Sequence, residues 1–179
     1  YGALPLPEGE VLTWSSDSTL RIWDGSTGRT QHVLEGHTDW VTEAIVGGGE
    51  RLVSGARDGT IRIWDRATGQ ELGVLRGHSD SVFGLVDLGD DRLLSWSHDE
   101  SLRIWDLSRC RHLAVFEGHK RWIDGVTDLG DGRILSWSSY GGARIWDSNS
   151  GKELRRLAID RPGWDVGIKG LSVLADGRI

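Results

Sequence analysis

His37, Ser54 and Asp58 supply the side-chain types of a general base, a nucleophile and an orienting carboxylate. The same trio returns as His78, Ser95 and Asp99, each 41 residues further along. Hydrolytic chemistry needs one such trio opening on one cleft, and a chain rarely builds equivalent nucleophiles in consecutive units. Repetition points instead to a buried polar network, in which every group must be paired because an unpaired one costs about 1 to 3 kcal/mol. Trp64 and Trp105 stand in phase with the two sets, and His119, Ser136 and Trp146 begin a third. No catalytic residue is therefore assigned. Metal chemistry is not expected either: the histidines are dispersed, without compact Cys/His or HExxH spacing. Gly47-Gly48-Gly49 joins two strands and opens no helix, so it is no phosphate loop, and no cofactor is expected.

The elements that hold these residues follow from the repeat itself. Ile-Trp-Asp occurs at 22–24, 63–65, 104–106 and 145–147, and Gly-His at 36–37, 77–78 and 118–119, each His 27 residues before its Trp. Within one period the pattern is strand-like: β-rich runs at 40–46, 51–56, 60–64 and 70–75, separated by Gly-Gly-Gly and Arg57-Asp58-Gly59 turns. Each period is thus one four-stranded antiparallel sheet, its strands a to d in chain order. Leu93-Leu94-Ser95-Trp96 puts large side chains on both faces, so a sheet can bury them only between neighbouring copies.

These residues resemble the WD-repeat β-propellers, in which Gly-His and Trp-Asp bracket each repeat and four-stranded blades surround a channel. The resemblance implies an all-β fold with about four blades, near 1–36, 37–77, 78–118 and 119–159, and a partial one at 160–179. It implies strand a innermost, strand d outermost, and a non-enzymatic platform for other proteins. It also implies that the indole donates to the hydroxyl, the hydroxyl meets the imidazole, and the imidazole reaches the turn carboxylate. Two blades depart from this pattern. The fourth has Tyr140 where Asp58 and Asp99 stand, so its network should be incomplete; the first has Thr13, Asp17 and Trp23 but no preceding Gly-His. After Trp146 the Gly-His phase falls on Ile159-Asp160, and the motif is lost.

The ten Trp divide by phase. Trp23, Trp64, Trp105 and Trp146 belong to strand c. Trp14, Trp96 and Trp137 follow the network hydroxyl in strand b, and alternation sends them to the opposite face, between blades. Trp40, Trp122 and Trp164 stand where the connection enters strand a, and the resemblance places that region on the rim used for recognition. The same mapping gives Thr42, Ser81, Phe83 and Asp124 near the start of strand a, and Arg57, His98 and Ser139 just before the turn position of the b–c loop. Aromatic anchors with Arg suit a protein or peptide partner. Arg21, Arg62, Arg103 and Arg144 recur with the motif and are read as blade elements.

Composition excludes other classes. A net charge of -6 lacks the basic footprint of a nucleic-acid binder. No apolar run approaches the roughly 20 residues of a membrane span, so no membrane partner is expected. The lone Cys110 fits a reducing compartment such as the cytoplasm. The alternative is a propeller hydrolase of glycosidase type. Ser97-x-Asp99 before Trp105 is similar to an Asp-box turn, but Asp99 and Trp105 are six apart, one too many, and no converging carboxylate pair stands out. The absence of Met, even at position 1, reads as a piece of a longer chain. Four blades leave two expectations for closure: a homodimer forming an eight-bladed ring, or further blades of a longer chain.

Overall fold

The structure, a computed structural model, describes residues 2–139 and 141–157 of the 179. The expected partial blade at 160–179, and with it Trp164 and the Ile159-Asp160 phase, lies outside the described residues, as does Tyr140.

Four antiparallel sheets of four strands follow one another along the chain. The first contains β1 (Gly2–Pro5), β2 (Glu10–Trp14), β3 (Leu20–Asp24) and β4 (Thr30–Leu34). The second contains β5 (Val41–Gly47), β6 (Arg51–Ala56), β7 (Ile61–Asp65) and β8 (Glu71–Leu75), within a residue of the runs read from the sequence. The third contains β9 (Val82–Gly89), β10 (Arg92–Ser97), β11 (Leu102–Asp106) and β12 (Arg111–Phe116); the fourth, β13 (Gly125–Asp128), β14 (Arg133–Ser138), β15 (Gly142–Asp147) and β16 (Glu153–Leu157). Neighbours in each sheet are consecutive in sequence, so each blade is a meander.

Turn chemistry explains why the strands stop where they do. The Asp of Ile-Trp-Asp closes the c–d turn: Asp65 Oδ1 accepts from Thr68 N and Oγ1, both at 2.8 Å. Asp24 and Asp147 do the same for Ser26 and Ser150. Each turn then needs one left-handed residue, and Gly28, Gly69 and Gly151 supply it at φ near +70°. In the third blade that position is Cys110, at φ 48°.

Apolar side chains cluster between blades. Leu12, Trp14 and Leu20 of the first pack with Val41, Leu52 and Trp64 of the second, and two further clusters join the second to the third and the third to the fourth. The strand b tryptophans have a specific seat. Gly2, Gly84 and Gly125 of strand a lie opposite Trp14, Trp96 and Trp137, and a Cβ on any of these glycines would overlap the indole ring. The second blade reverses the pair: Glu43 faces Gly55, and Val82 of the next blade packs against that glycine. Burial pushes the Glu43 carboxyl above its ordinary pKa. Ion pairs join the blade rims as well, Arg66 to Glu10 at 3.0 Å and Arg51 to Asp91.

Candidate functional site

The repeated trio is assembled from three places in each repeat: the loop before strand a, strand b, and the turn after it. Trp64 Nε1–H donates to Ser54 Oγ at 2.9 Å, and His37 Nε2 lies 2.8 Å from the same oxygen. His37 Nδ1 is 3.1 Å from Asp58 Oδ2. In the third blade Trp105 Nε1 to Ser95 Oγ, His78 Nε2 to Ser95 Oγ and His78 Nδ1 to Asp99 Oδ2 are each 2.8 Å. The donors fix the protons. An indole only donates and a carboxylate only accepts, so Nδ1 carries the hydrogen, Nε2 accepts, and the hydroxyl donates to it.

This connectivity is that of a hydrolytic triad, and burial separates the two. Ser54 and Ser95 are fully buried, each oxygen held between an indole and an imidazole, so neither offers a nucleophile to a substrate. Burial alone would push the Asp58 and Asp99 carboxyls up; hydrogen bonds from the imidazole, from Thr60 or Ser101, and from backbone amides outweigh it. Both are held well below the usual carboxylate range.

The two departing blades differ as their sequences do. In the fourth, Trp146 donates to Ser136 at 2.8 Å and His119 Nε2 lies 2.6 Å from that oxygen. His119 Nδ1 is buried without a hydrogen-bond partner among the described residues, as is Ser138 Oγ. Burial first, then Arg144 and Arg156, lowers the His119 pKa to about 4. In the first blade Trp23 donates to Thr13 at 2.8 Å, and Asp17 pairs with Arg21 at 3.0 Å.

The residues assigned to the upper rim fall into two groups. Backbone bonds from Arg57 N to Trp40 O (2.9 Å) and from His98 N to Ser81 O (3.0 Å) tie each b–c loop to the start of strand a. Arg57 and Trp40, 17 residues apart in sequence, are thereby brought side by side. The Arg57 guanidinium lies 4.1 Å above the Trp40 ring. His98 is sandwiched, 3.8 Å from the Phe83 centroid and 4.3 Å from that of Trp122, with interplanar angles of 21° and 14°. Burial lowers the His98 pKa, with Arg57 adding to the effect and Asp80 opposing it. Trp40, Phe83 and Trp122 stay open to solvent at 40%, 38% and 61% exposure.

Thr42 and Asp124 bond to backbone groups instead. The Thr42 hydroxyl lies 2.9 and 2.6 Å from the Gly55 and Val82 carbonyls, bridging two blades. Asp124 accepts from Ser139 N, bracing the b–c turn of its own blade. The repeating arginines pair within their blades, Arg62 with Glu71 and Arg144 with Glu153, while Arg103 lies 5.9 Å from the Trp105 ring centroid. Among the described residues no three His, Cys, Asp or Glu gather to hold a metal, and no helix is long and apolar enough to cross a membrane. Sequence reasoning missed the aromatic sandwich and the Gly/Trp pairing. The shared 41-residue phase of Gly84 with Gly125, and of Trp96 with Trp137, carried a signal for the second.

Comparison with known proteins agrees with this architecture. The family profile "WD domain, G-beta repeat" matches residues 28–65 and 69–106. A probable E3 ubiquitin ligase complex SCF subunit, scon-2 of Neurospora crassa, is 42% identical over 52 residues, 29% of this chain and 8% of its own. The crystal structure of the computationally designed Ika8 protein superposes with a TM-score of 0.74 at 30% identity, over 84% of this chain and 46% of that one. The WD40 propeller domain of Doa1 gives 0.70 at 24% identity over 87% and 52%, and the U3-55K structure 0.71 at 25% over 85% and 50%. The chain therefore spans about half the length of these solved structures and a small part of the curated relative. With four consecutive meander blades, a repeated indole-hydroxyl-imidazole network and this profile match over residues 28–65 and 69–106, the chain carries WD40 repeats and has the blade fold of the WD40 β-propellers.

Proposed function

We propose that this chain is a non-catalytic platform that binds a protein or peptide across its upper rim. The observation that carries the reading is the set of stacked side chains crossing three blades: Trp40 under Arg57, then Phe83, His98 and Trp122. Stacking pre-organises these rings, so a partner meets aromatic area already ordered. Exposed Trp, Phe and Arg are the residue types that concentrate binding energy at interfaces. Buried serines in the triad-like sets support a role without hydrolysis. The relative named as a ubiquitin ligase complex subunit is itself a member of an assembly. The cytoplasmic placement suggested by Cys110 and the completion of the ring belong to the same proposal. A second copy pairing with the first would sediment at twice 19.8 kDa, whereas a mass of 19.8 kDa at micromolar concentration rejects pairing.

The test is recovery of partners by the chain and by a variant carrying Trp40→Ala, Phe83→Ala and Trp122→Ala. All three are solvent-exposed, so thermal unfolding should shift little and loss of partners reports the surface. Partners missing only with the variant support the rim; identical recovery rejects it.

A further inference from the structure

His37, His78 and His119 sit in the buried networks; of the other histidines, among the described residues, only His98 is stacked between two rings. No hydrogen bond reaches its ring nitrogens among the described residues, so stacking on Phe83 and Trp122 alone fixes the imidazole. The backbone beside it is held separately. His98 N donates to Ser81 O, and Asp99 is bonded to His78, to the Ser79 amide, and to the amide and hydroxyl of Ser101. The ring can therefore leave the stack by side-chain rotation while the turn stays in place.

Trp122 depends on this stack more than its counterpart in the second blade depends on Arg57. There the b–c loop ties down the start of strand a through the bond from Arg57 N to Trp40 O, and the guanidinium covers the ring. In the fourth blade Ser139 N donates to the Asp124 carboxylate instead, and strand a opens at Gly125, two residues later in phase than Val41 and Val82. Trp122 thus stands outside its strand, 61% exposed, stacked on a histidine of the preceding blade. Phe83, on the other side of that histidine, belongs to β9 and is fixed by its ladder.

We propose that His98 is a proton-operated latch: as a neutral ring it holds Trp122 against the third blade and assembles the rim, and on protonation it leaves the stack and frees Trp122. A partly buried imidazole loses solvation when it charges. Burial accordingly lowers the His98 pKa, with Asp80 of the loop before β9 opposing and Arg57 of the second blade adding to the effect. The other charged groups around the ring are Asp99 and Glu100 in its own turn and Lys120, Arg121 and Asp124 in the segment that carries Trp122. Released into water, the ring regains the ordinary value near 6.5. Protons therefore bind the released ring more tightly, and acid draws it out of the stack by at most about tenfold for each unit between the two values. The attraction of an imidazolium for two ring faces acts the other way, so the measured midpoint decides the direction. The inference rests on the rim reading only for what the assembled surface binds.

The test needs no partner, so it succeeds or fails separately from the partner experiment. The full chain, with histidine rings and tryptophan indoles labelled with nitrogen-15, is followed by NMR from about pH 8 to about pH 5.5, across the range in which histidines titrate. Trp122→Phe assigns the Trp122 signal, and the buried Trp64 and Trp105 indoles report that the blades stay folded. The expected result is that the His98 ring and the Trp122 indole titrate together, with a midpoint below 6.5. His98→Gln and His98→Phe, which carry no titrating ring, remove the Trp122 response, and Arg57→Gln raises the midpoint. A Trp122 signal that does not move, that moves equally in His98→Gln and His98→Phe, or that moves with a midpoint at or above 6.5 overturns the latch, whatever the rim binds.

Discussion

Replacing Ser95 by Ala tests whether the triad-like network is structural. The hydroxyl is fully buried and serves two partners, Trp105 Nε1 at 2.8 Å and His78 Nε2 at 2.8 Å. Without it the indole N–H, on a side chain 1% exposed, has no acceptor. His78 cannot compensate by moving its proton, because Asp99 holds the hydrogen on Nδ1. Two buried groups are orphaned, and at about 1 to 3 kcal/mol each the cost is about 2 to 6 kcal/mol. That is a large share of a domain's usual stability of about 5 to 15 kcal/mol. Urea unfolding followed by Trp fluorescence measures it, and exchange of the Trp105 indole hydrogen localises it. Ser95→Thr is the control: Thr13 already accepts from Trp23 at 2.8 Å in the first blade, so only the extra methyl should cost, by about 1 kcal/mol. A Ser95→Ala loss under about 0.5 kcal/mol with unchanged indole exchange would refute the reasoning.

Three further outcomes are expected. The unfolded chain binds a proton at His119 near pH 6.5 and the folded chain only near 4, so stability should fall as pH drops between those values, by a total of order 3 kcal/mol. An equal slope of the urea midpoint in His119→Gln would contradict this. Asp58 and Asp99, whose pKa values are depressed on folding, add a further loss as pH falls below the unfolded carboxylate value near 4. Gly84→Ala places a methyl in the Trp96 ring and should cost about 1 to 3 kcal/mol; a neutral result would show that the indole moves freely on its strand. Cys110→Gly relieves a left-handed residue at φ 48° and should raise stability by up to about 1 kcal/mol, read from the melting temperature, with a decrease counting against strain there.

The blades were legible because each marker has a local cause. Asp24, Asp65 and Asp147 close a turn with their own side chains, and glycine four residues later accepts the left-handed backbone, so spacing alone located strands c and d. The incomplete fourth network was legible for the same reason: Tyr140 breaks a pattern set by Asp58 and Asp99. Thr42 was less transparent. Its phase placed it at the rim, yet its hydroxyl turns to the carbonyls of two blades, a choice that depends on where Val82 of the next sheet lies.

By itself the sequence determined the four-stranded unit, its repetition and the membership of the buried network, since periodicity of 41 and turn residues act within one chain segment. Tertiary structure decided what those units do to one another. Docking of loops brought Arg57 over Trp40 and His98 between Phe83 and Trp122, and it seated His37 and His78 on Ser54 and Ser95, which are fully buried. The physical reason is range. Turn and strand preferences are settled by neighbours in sequence, whereas stacking and burial depend on atoms that only the folded chain brings together.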